Sequence, residues 1–93
     1  MTILQTPTFA KQLKKLHDNQ KKDLHRAIME VASDPAIGDL KKGDLSDVHV
    51  YKFSMTKQLA LLAYEYQEDE QQLMLLSLGS HENFYRDLKK QIK

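Results

Sequence analysis

The chain has 93 residues, 41% of them apolar and 29% charged, with a formal net charge of +1 and no cysteine. This length predicts one small domain, with a core too modest to enclose a large cofactor. The lack of cysteine excludes disulfides, thiolate metal sites and cysteine nucleophiles. The opening MTILQTPTF shows no basic and apolar leader pattern, and no apolar run nears the about 20 residues of a membrane span. The sequence therefore predicts a cytoplasmic protein with no membrane partner.

In chain order, residues 2–5 (TILQ) predict a short strand. Thr6 and Pro7 then predict a helix start, with Thr as N-cap and Pro at the first helical position, where its missing N–H costs nothing. Phe9, Leu13 and Leu16 recur at helical spacing among lysines. Asp18-Asn19 predicts a break, with Asn19 capping a second helix whose apolar stripe is Leu24, Ala27, Ile28 and Val31. Two helices joined so tightly predict an αα-hairpin. Ser33-Asp34-Pro35 ends the second helix, because the residue before proline is pushed out of the α region. Residues 35–47, with Gly38, Gly43, two lysines and three aspartates, read as a loop.

The period then changes. Residues 48–53 predict a strand, 54–57 a polar turn, 59–66 a nearly all-apolar central strand, 67–71 a charged hairpin loop, and 73–78 a third strand of the same kind. Gly79-Ser80 breaks it, Ser80 can cap, and residues 81–92 predict an amphipathic helix through Phe84, Leu88 and Ile92. The expected fold is α+β in the order β-αα-βββ-α, with a helical hairpin packed on a mostly antiparallel four-stranded sheet. With the helices on one face, the other face is expected to stay partly open as a binding surface. Charge is segregated along the chain. Lys11, Lys14, Lys15, Lys21, Lys22 and Arg26 make the N-terminal third basic, and Arg86, Lys89, Lys90 and Lys93 do the same at the end, while acids gather in 34–47 and 65–70. Such a distribution suits either two solvated helix faces or an anionic partner.

This order of elements resembles the RelE/ParE superfamily of bacterial type II toxins. The stretch FAKQLKKL (9–16) is similar to the family's opening helix. Pro35 to Gly43, Leu45 and the strand at 48–53 resemble its central block. The ending LLSLGSHENFY (75–85) is similar to the L-L-R-L-G-S-H-x-x-L-F ending of the YafQ-like branch. The resemblance covers nearly the whole chain as a single domain, 1–93. It implies an endoribonuclease that cuts messenger RNA in the ribosomal A site, with the RNA's own 2′-hydroxyl attacking the adjacent phosphorus and no metal or other cofactor. ParE-like members share the fold but inhibit DNA gyrase. Either branch implies a co-expressed antitoxin whose C-terminal segment wraps the toxin, and contact with DNA only through the repressing complex.

In-line cleavage needs a base for the hydroxyl, donors for the phosphorane and an acid for the leaving oxygen. His81 matches the histidine of the ending, and an imidazole near its ordinary pKa serves as acid or base; the alternative is local bonding at a helix start. Tyr85, one turn on, matches the aromatic of the ending and suits base stacking or proton transfer; the alternative is packing beside Phe84. Lys52 falls where the resemblance puts a basic or histidine catalytic residue, with phosphate as its partner, or else it guards a strand edge. Lys57 and Arg86 are candidate phosphate contacts. His49 points to the face opposite Lys52 by the period of two, His17 and His25 lie on the helical hairpin, and the four histidines show no metal-ligand spacing. Three departures stand out. Ser77 replaces the family's usual arginine, residues 59–66 lack a second arginine, and Val50 replaces an acidic residue found in some relatives. Losing a fixed guanidinium removes transition-state stabilisation unless Lys52, Lys57 and Arg86 substitute.

Overall fold

In the computed structural model, the described residues are 1–41, 47–80, Phe84 and Leu88. Strand β1 (Thr2–Gln5) leads into helix α1 (Pro7–Lys14), and after a short link helix α2 (Asp18–Ser33) follows. A 3-10 turn (Pro35–Ile37), strand β2 (Asp39–Leu40), and strands β3 (His49–Met55), β4 (Gln58–Gln67) and β5 (Gln72–Gly79) complete the described order. The sheet runs β1-β5-β4-β3-β2. The meander β3-β4-β5 is antiparallel, while β1 joins β5 in parallel at one edge, Thr2 opposite Gln72 and Gln5 opposite Leu75.

The α+β class, the helical hairpin and the meander agree with the sequence reading. The expected count of four strands is corrected to five. Asp39 and Leu40, read as loop, pair with Val50 and His49 and form the opposite edge. Two residues carry too little periodicity to register as a strand, so glycine and charge dominated the reading. The second helix is also corrected at its start. His17, not Asn19, is the N-cap residue, and its backbone N–H donates to Gln20 Oε1 at 2.8 Å.

Thr6 caps α1 as its type predicts, accepting from the Phe9 N–H at 3.1 Å. Its hydroxyl also donates to the Leu76 carbonyl at 2.8 Å, so the cap that starts the helix also fastens it to β5. The helices press Phe9, Leu24 and Val31 onto Ala60, Leu62, Tyr64, Leu73, Leu75 and Leu78. On the other face Phe84 and Leu88, both helical, cover Val48, Val50, Leu61, Ala63 and Leu76. The expected open face is therefore partly closed. Phe84 and Leu88 of the last predicted helix pack on it, because β4 is apolar on both sides and needs cover twice. The rest of that helix lies outside the described residues.

Two irregularities set the details. In β5 the register with β4 shifts between Ala63 and Tyr64, so that Ser77 faces Ala63 while Leu75 faces Tyr64. This bulge leaves Leu76 unpaired, and Leu76 packs with Phe84 while its neighbours Leu75 and Leu78 pack under the helices. Gly38 lies against Tyr64, where a Cβ would come within 2.8 Å of the phenol oxygen and 3.1 Å of the Val50 carbonyl carbon. Gly38→Ala is expected to cost about 1–3 kcal/mol by overpacking. A urea denaturation midpoint equal to that of the parent chain would show instead that the phenol moves aside freely.

Candidate nucleic-acid interface at the hairpin end of the sheet

The turn joining β3 to β4 has two residues, Thr56 and Lys57, at φ 49° and 69°. Two left-handed residues closing a hairpin match the twist of the flanking strands. Neither is glycine, and the conformation is held from outside: the Thr56 N–H donates to Asp23 Oδ2 at 2.7 Å. That bond ties the hairpin tip to α2 and lifts Lys57 into solvent.

Lys52 lies opposite Leu61, and Leu61 lies opposite Gly79. The three form one cross-strand row, so Lys52 and Gly79 are about 10 Å apart at the usual strand spacing. By the period of two, Lys52 shares a face with Val50 and Ser54. It stands at the border of the patch that Phe84 and Leu88 cover. Beyond it toward the tip come Ser54 and Leu59, the latter 48% exposed. Lys52 and Lys57 are both exposed, and neither ammonium forms an ion pair among the described residues. The ion pair there, Arg26 with Asp23 at 3.7 Å, is largely solvated and adds little.

Of the sequence-predicted site residues, Lys52 and Lys57 thus lie toward the same end of the sheet, about three strand residues apart. His81, Tyr85 and Arg86 lie outside the described residues. His49 packs on the helical-hairpin face, its ring stacked on Tyr64 with centroids 5.2 Å apart. Its Nδ1 is buried with no hydrogen-bond partner among the described residues. His17 and His25 are exposed.

Sequence reasoning missed Gln12. Its Oε1 accepts from the Leu78 N–H at 2.8 Å, and its Nε2 donates to Ser77 Oγ at 3.2 Å. Ser77 is only 3% exposed. The position where the resemblance expects arginine is thus a buried serine, held by a hydrogen bond from α1. Gln12 supplies the polar partners that the bulged strand lacks within the ladder. Nothing in the sequence distinguishes Gln12 from a solvated residue between lysines.

Charge divides along the sheet. Lys15 borders the β3–β4 hairpin beside Met55 and Gln58, and Lys14, Lys21 and Lys22 are exposed on the same helical hairpin. Asp34 and Glu68 flank His49 at the opposite end, and Asp69 and Glu70 continue the β4–β5 turn. A chain of net charge +1 therefore presents a basic end to an approaching polyanion. Among the described residues no three His, Asp or Glu side chains are placed to hold a metal ion, and no helix is long and apolar enough to cross a membrane.

The family described as the ParE-like toxin of type II bacterial toxin–antitoxin systems matches residues 3–89. The chain belongs to that family, and hence is a type II toxin of the RelE/ParE superfamily. Solved structures agree in fold. A free double variant of the Escherichia coli toxin RelE aligns with TM-score 0.73 and 16% identity, over 98% of this chain and 92% of that one. RelE in the intact E. coli RelBE toxin–antitoxin complex aligns with TM-score 0.70 and 20% identity, over 87% and 96%. A YoeB/ParE toxin from Agrobacterium tumefaciens aligns with TM-score 0.69 and 15% identity, over 88% and 100%. No curated protein sequence matches the chain.

Proposed function

We propose that this toxin is a metal-independent endoribonuclease that cleaves translated messenger RNA at the ribosome. The observation that carries the reading is the row Lys52–Leu61–Gly79. It sets Lys52, whose ammonium makes no ion pair among the described residues, on the sheet surface with its backbone about 10 Å from the point where β5 ends, two residues before His81 in sequence. In this reading the Lys52 ammonium holds a non-bridging phosphate oxygen and stabilises charge on the phosphorane. His81 moves the proton of the 2′-hydroxyl or of the leaving oxygen, Tyr85 stacks on a base or passes a proton, and Lys57 and Arg86 hold flanking phosphates. The basic end draws the RNA in by its field, an attraction that weakens as salt rises. The same surface suits an acidic amphipathic antitoxin segment, and the RelBE structure above is itself a toxin–antitoxin complex.

The buried Ser77 favours a second reading, in which the chain inhibits DNA gyrase without cleaving RNA. Mapping messenger-RNA 5′ ends after induction in a bacterium separates the two. New in-frame cuts that vanish with His81→Ala are the expected result. Growth arrest with intact messages and a DNA-damage response would favour gyrase.

A further inference from the structure

On the helical face of the sheet, opposite the face that carries Lys52, lies a cleft of about 230 Å³ between the α1–α2 link, the β3–β4 hairpin and the end of β5. Its floor is apolar, made by Leu16, Met55, Ala60 and Leu78. Lys15, Gln20 and Gln58 form its polar rim, and Gly79-Ser80 lines it at the end of β5. The cleft is smaller than the about 300–1,000 Å³ that takes a drug-sized ligand, so it admits one small flat ring system.

The rim amides differ in what they have left to offer. Gln12 also reaches the cleft, but both ends of its amide are spent on β5. Gln20 has its oxygen engaged by the His17 N–H, leaving the NH₂. The Gln58 amide makes no hydrogen bond with any described residue, and its side chain is exposed at the hairpin's first pair, opposite Met55. Lys15 forms no ion pair among the described residues. An apolar floor with a free donor–acceptor pair above it and a cation at the mouth is the chemistry of a nucleotide site.

We propose that this cleft is a nucleobase subsite, taking one unstacked base of single-stranded RNA on the helical face of the sheet, across the rim from Lys52. The base lies on Leu16, Met55, Ala60 and Leu78, the Gln58 amide reads its edge, and Lys15 meets its phosphate. A glutamine amide presents donor and acceptor side by side, the pair that matches adenine. This assignment rests on the ribonuclease reading for its biological substrate, but its binding chemistry is tested separately.

The first arm titrates the purified chain with adenosine 5′-monophosphate, and with ribose 5-phosphate as the probe lacking a base, following backbone and side-chain amide resonances. The nucleotide is expected to shift the Gln58 side-chain amide and the backbone signals of Leu16 and Ala60, while ribose 5-phosphate leaves them in place. Gln58→Leu is expected to weaken nucleotide binding by about tenfold, the equivalent of losing one or two hydrogen bonds. No shift at these residues, or the same shift with both probes, overturns the subsite. The second arm maps RNA cuts with the parent chain and Gln58→Leu. Adenine enriched at one fixed position from the cut, and lost in the variant, supports the proposal. Cuts with a base preference that the variant leaves unchanged overturn it and keep the ribonuclease. Nucleotide binding at the cleft without any RNA cuts retires the ribonuclease and keeps the subsite.

Discussion

Lys52→Ala is expected to lower the rate of messenger-RNA cleavage by on the order of 100-fold or more, the usual cost of removing one preorganised donor from a developing oxyanion. The position has a competing explanation. Strand β2 pairs only with His49 and Val50, so from Tyr51 to Met55 the β3 strand has no outer neighbour among the described residues. A lysine on such an edge discourages pairing with another chain. The two roles separate by charge. Lys52→Glu keeps a charge on the edge and so preserves solubility, but it sets an anion against phosphate and should cut more slowly than Lys52→Ala. Lys52→Arg keeps both roles and retains most of the rate. Single-turnover cleavage of a programmed message, with sedimentation of each variant alongside, reads both effects. Equal rates for all three variants would remove Lys52 from the site and leave it a guard of the strand edge.

The residues that were legible in advance are those whose signal is local. Thr6 and Pro7 announce a helix start through capping chemistry alone, and Pro35 announces a helix end through sterics. The apolar strands β4 and β5 predicted a buried centre, and they also contained the evidence that the second, partly open face needs cover of its own. A strand apolar on both sides, such as the run Leu59–Tyr64, requires two covers, and Phe84 and Leu88 supply the second. What the sequence did not show depends on partners distant along the chain. Gln12 reads as one polar residue among lysines, yet it meets Ser77 and Leu78 across 65 and 66 positions. The bulge at Leu76 is equally silent, because LLSLG fits a regular strand until the register with β4 is known. The cross-strand row that joins Lys52 to Gly79 likewise follows from register, which neither strand's composition encodes.

Tyr64→Ala is expected to destabilise the chain by about 3–5 kcal/mol, in the range of large-to-small changes at buried aromatics, and Tyr64→Phe by about 1–3 kcal/mol. The ring is wholly buried, packs in the main core and carries the stacked His49. The hydroxyl does a separate job. It donates to the Pro35 carbonyl at 2.6 Å and accepts from the Gly38 N–H at 3.0 Å. One oxygen thereby pins the segment that leads from α2 into the edge strand β2. The phenylalanine variant leaves both backbone groups without that partner, and so isolates the hydroxyl from the ring. Burial pushes the Tyr64 phenol above its ordinary pKa, against the Gly38 hydrogen bond that pulls it down, and Asp34 adds to the rise. The stabilisation from a raised tyrosine is complete below the unfolded value of about 10 and is lost as pH climbs through the higher folded value. Urea midpoints should therefore fall on the alkaline side of pH 10, and less steeply in Tyr64→Phe. Tyr51 adds a slope of the same sign, raised chiefly by its 2.6 Å hydrogen bond to Glu30, so Tyr51→Phe combined with Tyr64→Phe should flatten the profile further. A Tyr64→Phe chain with the parent's midpoint and the parent's alkaline slope would show that water replaces the hydroxyl at no cost, and that the entry to β2 is held by backbone geometry alone.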